Sequence, residues 1–237
     1  MRYSFDIFLD ELSCCEQGLY PVRRPNIPPA KRKFEKYDIK GTDGELLILS
    51  DNYDDVVFSV GFNYMSKNPD KWHQTYRNFR QFLKRKNTLR FSDDQDYFHR
   101  IKMIEIEENE RTSLRIGRFT VKFTVEPFYY LKMGQKEFTI NKETSFVNYY
   151  EKSFPIYRIT GEGFATLNIN GKEIQCNVSG NLYIDTKLQI SYKDDGSNAN
   201  TSISGDYDDM VFVEGDNTIS ISDNFTLSIT PCWRCLI

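Results

Sequence analysis

The sequence predicts a mainly β protein with one α-helix, divided into two domains. Aromatic residues make up 15% of the 237-residue chain, whereas alanine occurs only at Ala30, Ala165 and Ala199. Because aromatic side chains favour strands and alanine favours helices, this composition favours a β-rich fold. Stretches of alternating apolar and polar residues recur along the chain, and one stretch has the spacing of an amphipathic helix.

The charge differs between the two halves of the chain. Residues 1–131 carry 22 Lys/Arg and 20 Asp/Glu, and residues 132–237 carry 9 and 14, which gives net charges of +2 and −5. Such a difference fits two domains with different partners, and the overall charge of −3 argues against nucleic-acid binding by the whole surface. No apolar stretch reaches the roughly 18 residues of a membrane helix, and the segment up to Cys15 lacks the basic start of a signal peptide. We therefore expect synthesis in a cytoplasm and no membrane anchor.

A short apolar segment over residues 1–20 precedes a basic, proline-rich stretch. Residues 21–40 hold four prolines and seven Lys/Arg, so this stretch cannot form a helix or a central strand. We expect an extended arm or loop. It is either an ordinary solvated loop or an arm that contacts a neighbouring subunit. In the second case the candidate interface residues are Arg23, Arg24, Arg32 and Lys33.

The predicted helix covers about residues 69–86. Asn68 is suited to cap it and Pro69 to the first helical position. The apolar side chains Trp72, Tyr76, Phe79 and Leu83 recur at helical spacing, with Phe82 widening the stripe. Lys84, Arg85 and Lys86 favour the C-terminal end of the helix dipole, and Asn87 is expected to terminate the helix.

The remaining pattern predicts strands. Phe119, Val121, Phe123 and Val125 alternate with polar residues until Pro127, which we expect to end that strand. Ala165, Leu167 and Ile169 alternate into Asn170-Gly171, a hairpin signal, and Phe225, Leu227 and Ile229 alternate near the end. The boundary is expected within residues 130–137. The predicted domains are 1–131, β-rich with the helix, and 132–237, an all-β sandwich.

The residues that usually carry chemistry form no recognisable catalytic or metal-binding pattern. His73 and His99 have no nucleophile motif beside them, and no glycine-rich phosphate loop is present. Aspartate clusters lack the spacing of a calcium loop and suit turns. The pair Cys232 and Cys235 has no second ligand pair, so we expect neither a metal nor a cofactor. A binding or building component is therefore favoured over an enzyme, although a hydrolase with a split active site stays open.

A series of short motifs resembles, in order and spacing, the distal tail protein of siphophages that infect Gram-positive bacteria. In chain order the motifs are Gly41-Thr42-Asp43-Gly44-Glu45-Leu46, Leu89-Arg90-Phe91-Ser92-Asp93-Asp94, Val125-Glu126-Pro127-Phe128-Tyr129-Tyr130, Pro155-Ile156, Gly161-Glu162-Gly163, Leu167-Asn168-Ile169-Asn170-Gly171, Tyr183-Ile184-Asp185-Thr186, Gly205-Asp206-Tyr207, Gly215-Asp216-Asn217-Thr218-Ile219 and Ile229-Thr230-Pro231-Cys232-Trp233. Each motif is weak alone, and their shared order over nearly the whole chain makes the match specific. The family often has Pro-Gly-Arg-Asp-Gly where this chain has residues 40–44, an Asp in place of Glu126, and Phe-Pro in place of Tyr207-Asp208.

The resemblance implies a non-enzymatic hub of the virion tail tip, in the tail-tip or baseplate family. In this family a homo-hexameric ring of tail-tube-like, β-sandwich or barrel-like N-terminal domains surrounds a lumen through which DNA passes as cargo. A galectin-like jelly-roll C-terminal domain projects outward. The implied partners are the tail tube protein, the tail-associated tip protein and receptor-binding or baseplate proteins. Because a conduit should not grip phosphates, we expect Arg77, Arg80 and Lys84 to lie away from the lumen.

A second interpretation is a carbohydrate-binding adhesion module that uses the C-terminal jelly roll to attach to the host surface. Exposed aromatic residues on a sandwich bind sugars in some proteins, but in a chain this rich in aromatics most of them must be core. Binding of glycans or cell walls would favour this interpretation over a structural hub.

Overall fold

The computed structural model describes residues 5–41, 43–140 and 142–237, so Thr42 of the first motif and the first four residues of the N-terminal apolar segment lie outside the described residues. The chain divides into two compact units. The first comprises the described residues up to Tyr129 together with Leu236–Ile237, and the second is Tyr130–Cys235. That these units act as a ring-forming domain and a galectin-like domain stays a prediction.

The first unit is built on an eight-stranded sheet. Its strands run in the order β2-β1-β7-β8-β9-β6-β3, with the C-terminal β18 (Arg234–Leu236) joining β9 outside this path. The bounds are β1 (Ile7–Leu9), β2 (Leu12–Ser13), β3 (Leu19–Pro21), β6 (Val56–Met65), β7 (Thr88–Phe91), β8 (Asp94–Arg111) and β9 (Ile116–Leu131). A separate two-stranded ribbon consists of β4 (Arg32–Asp38) and β5 (Glu45–Tyr53).

The core of the first unit lies on one face of β6 and β9. These strands pair antiparallel from Val56↔Val125 to Met65↔Ile116, and directly opposite residues share a face. The predicted alternation is confirmed, because Phe119, Val121, Phe123 and Val125 are all buried. At Gly117 a Cβ atom would lie only 2.3 Å from the Tyr64 ring, so glycine is required for this ring to pack.

The predicted helix is confirmed but is shorter than expected. A 3₁₀ turn at Pro69–Lys71 leads into α1, Trp72–Leu83, whose Trp72, Phe79 and Leu83 are buried. The side chain of Asn68 makes no capping hydrogen bond. The helix ends at Leu83 rather than near residue 86, because Lys84 is already extended and Arg85 has a left-handed φ of 63°.

The second unit is an all-β structure of strands and short 3₁₀ turns. Its strands are β10 (Phe138–Ile140), β11 (Thr144–Asn148), β12 (Ile156–Ile169), β13 (Lys172–Asp185), β14 (Ile190–Tyr192), β15 (Ile203–Ser204), β16 (Gly215–Ile221) and β17 (Thr226–Thr230). The main path is β10-β17-β12-β13-β14, and β16 pairs with both β11 and β12. The core includes Tyr157, Leu167, Phe212 and Leu227.

The Asn170-Gly171 hairpin is confirmed. β12 and β13 pair from Ile156↔Asp185 to Ile169↔Lys172, which leaves these two residues as the loop. Their φ angles are 51° and 80°, as the tight turn that matches strand twist requires. Ala165, Leu167 and Ile169 are fully buried, as their alternation predicts.

One expectation for the first unit was wrong, and another was incomplete. Pro127 does not end its strand, because β9 continues to Leu131. The ladder with β6 stops at Val125, two residues earlier, so no hydrogen bond to β6 is lost at the proline. The stretch over residues 21–40 is not a loop throughout, because Pro21 ends β3 and Arg32–Asp38 forms a strand of the ribbon.

Among the described residues, no helix is long and apolar enough to cross a membrane.

Candidate functional site

The groups that usually carry chemistry have structural surroundings here. His99 is buried between Phe58, Phe91 and Tyr129, and burial, with the Arg24 charge, lowers its pKa to about 4. Neither ring nitrogen has a hydrogen-bond partner among the described residues. Burial raises the pKa of the Cys176 thiol to about 12, so this thiol stays protonated. The described residues contain no group of side chains arranged to hold a metal ion.

The predicted turn role is confirmed for Asp195 and Asp206, whereas Asp194 accepts hydrogen bonds from Asn181 and Tyr183 and Asp93 pairs with Arg24. The Asp206 carboxylate accepts a hydrogen bond from the Asp208 backbone N–H at a 3₁₀ turn. The Asp195 carboxylate accepts one from the Ser197 backbone N–H. These are local Asx-type contacts, which order loops.

The β4–β5 ribbon is the most unusual surface of the first unit. It is a two-stranded antiparallel sheet that pairs with no other described strand. Six of its large apolar side chains are about half exposed, namely Phe34, Tyr37, Leu46, Leu47, Ile48 and Leu49, and so is Ile39 directly after β4. An isolated two-stranded sheet is marginally stable in water, and a contiguous apolar patch usually marks an interaction site.

Both faces of this ribbon carry exposed apolar side chains beside charged ones. Phe34 lies directly opposite Leu49, so these two residues share a face. Leu47 lies on the same face, because it is two residues from Leu49 along β5. The other face carries Tyr37, Leu46 and Ile48. An antiparallel sheet with one wet side normally has a polar face there. The ribbon therefore presents apolar side chains on two faces that the described chain does not bury.

Polar contacts hold the ribbon in shape. At its base, Arg32 Nε donates to the Ser50 carbonyl at 2.6 Å and the guanidinium pairs with Asp51 at 2.8 Å. Further along, Lys36 pairs with Glu45 at 2.6 Å across the two strands. The exposed apolar side chains thus stand on a defined two-stranded frame.

The four candidate interface cations lie in different settings. Arg24 forms an ion pair with Asp93 and stacks over Phe91 at 4.9 Å, and Arg32 is engaged in the ribbon base. Arg23 and Lys33 are exposed. Two of the four therefore have partners within this chain, and the interface role of all four stays a prediction.

Several motif residues support local structure in the first unit. Ser92 Oγ accepts from the Asp6 backbone N–H at 2.8 Å, and Asp93 pairs with Arg24. The Pro127 carbonyl accepts from the Ile237 N–H at 3.1 Å, and Phe128 packs edge-on to Tyr53. Gly41, Asp43 and Gly44 lie in the turn that joins β4 to β5, which places this motif at the ribbon tip.

Motif residues of the second unit are likewise structural. The buried Asn217 amide bonds both the N–H and the carbonyl of Val213 and the carbonyl of Gly215, and it accepts from Asn170. Gly163 and Gly215 have positive φ angles. Trp233, after Pro231, packs against Phe146 and Phe212.

The sequence interpretation missed an apolar groove in the second unit. Its volume is about 420 Å³, and Phe138, Phe146, Tyr149 and Trp233 are among its lining residues. The Asn148 amide in this lining already donates to the Glu151 and Val213 carbonyls. A sugar needs hydrogen-bonding groups around its hydroxyls, so this mainly apolar lining suits a carbohydrate poorly.

Comparison with known proteins gives the family of the N-terminal part. Residues 17–125 match the model of the phage tail protein RIFT-related domain. Comparison with curated proteins finds no match to the chain. The matched range contains the ribbon, α1 and most of the first sheet.

Solved structures give the fold of the whole chain. The Dit protein of phage SPP1 matches with a TM-score of 0.66 at 14% identity, over 98% of this chain and 99% of that one. That protein is described as a paradigm of the hub adsorption apparatus of phages that infect Gram-positive bacteria. The phage P2 baseplate matches with a TM-score of 0.47 at 10% identity, over 98% of each chain. The resemblance noted from the sequence is confirmed: residues 17–125 match a phage tail domain, and the whole chain has the fold of the SPP1 Dit protein.

Proposed function

We propose that this chain, which carries a phage tail domain over residues 17–125, is the subunit of a hexameric hub ring at the virion tail tip. The ring joins the tail tube to the tip or baseplate proteins and encloses the path of the DNA. The subunit is made in the cytoplasm of the host bacterium. The observation that carries the proposal is the β4–β5 ribbon, which has exposed apolar side chains on both faces and pairs with no other described strand.

The ribbon supplies the contact between neighbouring subunits. A ring of identical subunits needs two different complementary surfaces on each chain, and a projecting ribbon that enters a neighbour is one way to provide them. Because both faces carry half-exposed Leu, Ile, Phe or Tyr side chains, burial between two surfaces removes more apolar area from water than contact on one side. The ribbon is therefore enclosed by neighbouring copies.

The test compares ring formation in two matched variants. Leu47→Glu/Leu49→Glu places two charges on one ribbon face, and Phe164→Glu/Leu188→Glu makes the same number of changes at exposed apolar positions of the second unit. Light scattering and negative-stain images should show rings for the wild-type chain and for the second variant, and only species smaller than a ring for the first. A wild-type chain that stays monomeric at high concentration would overturn the hub proposal.

A separate experiment tests the four candidate interface cations. Replacing Arg23, Arg24, Arg32 and Lys33 by Glu should shift the mass from ring toward monomer if these side chains contact a neighbour. Since Arg24 and Arg32 already pair with Asp93 and Asp51, the single changes at Arg23 and Lys33 test the interface more directly. An unchanged ring in both single variants would assign the contact to the apolar ribbon alone.

A further inference from the structure

A basic groove lies in the first unit between the second half of α1 and strand β8. Its volume is about 550 Å³, and the helix side is formed by Arg77, Arg80, Gln81, Lys84 and Arg85. The strand side is Ile101–Ile106, in which Ile104 and Ile106 pack against the core and Met103 is half exposed. The groove thus combines a row of cations with an apolar floor.

Four of these cations have no partner within the described chain. Lys86 pairs with Asp10 at 3.8 Å and Lys102 with Asp55 at 2.6 Å, so both are engaged. The side chains of Arg77, Arg80, Lys84 and Arg85 form no ion pair or hydrogen bond with the residues that the structure describes. Three of them, at 77, 80 and 84, follow one another at helical spacing, which is unfavourable for like charges unless a counter-charge is present.

The strand beside the groove has an open edge. β7 pairs with β8 only as far as Thr88↔Arg100, and the Ile101 N–H still bonds the Asn87 carbonyl. From Lys102 onward, β8 has β9 on one side and no described strand on the other. An unpaired edge is a template for strand addition from another chain.

The same strand carries a complementary acidic stretch directly beyond the groove. Glu107, Glu108 and Glu110 are exposed and make no ion pair with the described residues. The half-buried positions run Ile104, Ile106 and then Asn109, so the alternation slips by one residue as at a β-bulge. This slip leaves the three carboxylates directed away from the core and available to another molecule.

We infer that the groove and the acidic stretch form a self-complementary surface through which two copies of this chain pair edge to edge. An antiparallel pairing centred near Ile106 places residues 102–105 of one copy opposite residues 107–110 of the other. Each acidic stretch then lies beside the other copy's row of cations, and each apolar floor is covered. Charge complementarity is the observation that selects a second copy as occupant, since one chain carries both the row of cations on the helix side and the acidic stretch of β8.

This contact is related by a two-fold axis, so it cannot by itself close a ring. It is separate from the ribbon contact, and in a ring-forming subunit it joins one ring to another. The loss of either contact can therefore be detected independently of the other. A variant that loses the ribbon contact should remain a dimer, and a variant that loses this surface should remain a single ring.

Charge reversal with mixing tests the inference in a chain that already carries Leu47→Glu/Leu49→Glu. One further variant changes Arg77, Arg80 and Lys84 to Glu, and another changes Glu107, Glu108 and Glu110 to Lys. Each alone should dissociate at least about tenfold more readily than the parent dimer, and an equimolar mixture should restore dimers by sedimentation equilibrium. A control with Lys136, Lys142 and Lys193 changed to Glu carries the same charge change outside the groove and should dimerise as the parent does.

Three outcomes would overturn the inference. These are a parent chain that stays monomeric, single variants that dimerise unchanged, and a mixture that fails to restore dimers while circular dichroism shows both variants folded. A fourth contrary outcome is that the protein binds a 20-base-pair DNA duplex in a fluorescence anisotropy assay and loses this binding when the three helix cations are changed to Glu. The groove would then be a nucleic-acid site.

Cross-linking gives a second measurement that does not depend on charge changes. A photoreactive amino acid at Gln81, which lines the groove, should label the segment around residues 107–110 of the other copy. Mixing isotopically heavy and light chains shows whether the cross-link joins two copies. Labelling that maps only within one chain, or to another segment, would contradict the proposed pairing.

Discussion

Two antiparallel strand pairs of the first unit, β6 with β9 in the core and β4 with β5 in the ribbon, differ in burial. Along β6, every second residue from Val56 to Tyr64 is buried, and the residues between them are exposed or, at Gly61, half-buried. Along β4 and most of β5, every position is exposed, although the run Leu46–Leu49 is entirely apolar. Pairing and apolar composition alone therefore do not produce burial. A strand pair is buried only where a further layer covers it, and no other described strand pairs with the ribbon.

The largest effect expected from this difference is on stability. Phe123→Ala should lower the free energy of unfolding by about 4 kcal/mol, because it opens a cavity in the core. Leu47→Ala should change the unfolding of the monomer by less than ~0.5 kcal/mol, since its side chain is already half in water. Urea titration of dilute monomer measures both. Equal losses for the two variants would contradict the distinction between core and ribbon.

The next largest effect is expected on the pH dependence of the stability of the first unit. Burial lowers the pKa of His99 from 6.5 to about 4, so the unfolded chain binds more protons than the folded one between these values. The stability of the first unit should be complete above pH 6.5 and fall by about 3 kcal/mol as the pH drops toward 4. Urea titrations at several pH values measure this loss.

Two variants control the assignment to His99. His99→Leu should remove this part of the pH dependence, while His73→Gln, on the exposed face of α1, should retain it. A pH profile that is unchanged by His99→Leu would show that other groups cause the acid sensitivity.

Proteolysis distinguishes the ribbon before and after assembly. Lys36 and Lys40 are exposed on the ribbon and at its turn, so trypsin should cut monomers there first. Rings should be cut at these sites roughly tenfold more slowly, because cleavage then requires a subunit to leave. Mass spectrometry of early fragments gives the sites. Equal rates for rings and monomers would mean that the ribbon stays in solvent.

The smallest effect is expected at ion pairs on the wet face of the core sheet. Lys122 pairs with Glu105 at 2.9 Å, and both side chains are nearly half exposed. Lys122→Met should change the free energy of unfolding by less than about 1 kcal/mol, since solvent screens such pairs. A larger loss, measured beside Glu105→Gln in the same urea series, would show that this pair stabilises the sheet more than its exposure allows.

The elements that the sequence predicts well are those whose pattern is local. The alternation at residues 119–125, the apolar stripe of α1 and the Asn170-Gly171 turn each depend on a few neighbouring residues, and each is confirmed. Pro127 was misjudged because whether a proline ends a strand depends on where the partner strand stops, which is a tertiary property. The helix end was misjudged because cations suit both the last turn and the residues that follow it.

The candidate surfaces required the structure. The sequence places an extended basic stretch over residues 21–40 but does not show that Arg32–Asp38 pairs with Glu45–Tyr53. Without that pairing, the apolar run Leu46–Leu49 is indistinguishable from a buried strand. The basic groove was equally hidden, because it depends on α1 lying beside an edge of β8 that β7 leaves open.

The two kinds of contact surface should respond to temperature to different degrees. Apolar association weakens as water is cooled, so rings held together by the ribbon should loosen in the cold and close again on warming. The pairing at β8 depends mainly on charge, so it should weaken less than the ribbon contact under the same cooling. Subunits purified at low temperature would then be observed as species smaller than the ring, and the storage temperature would determine which assembly electron microscopy shows.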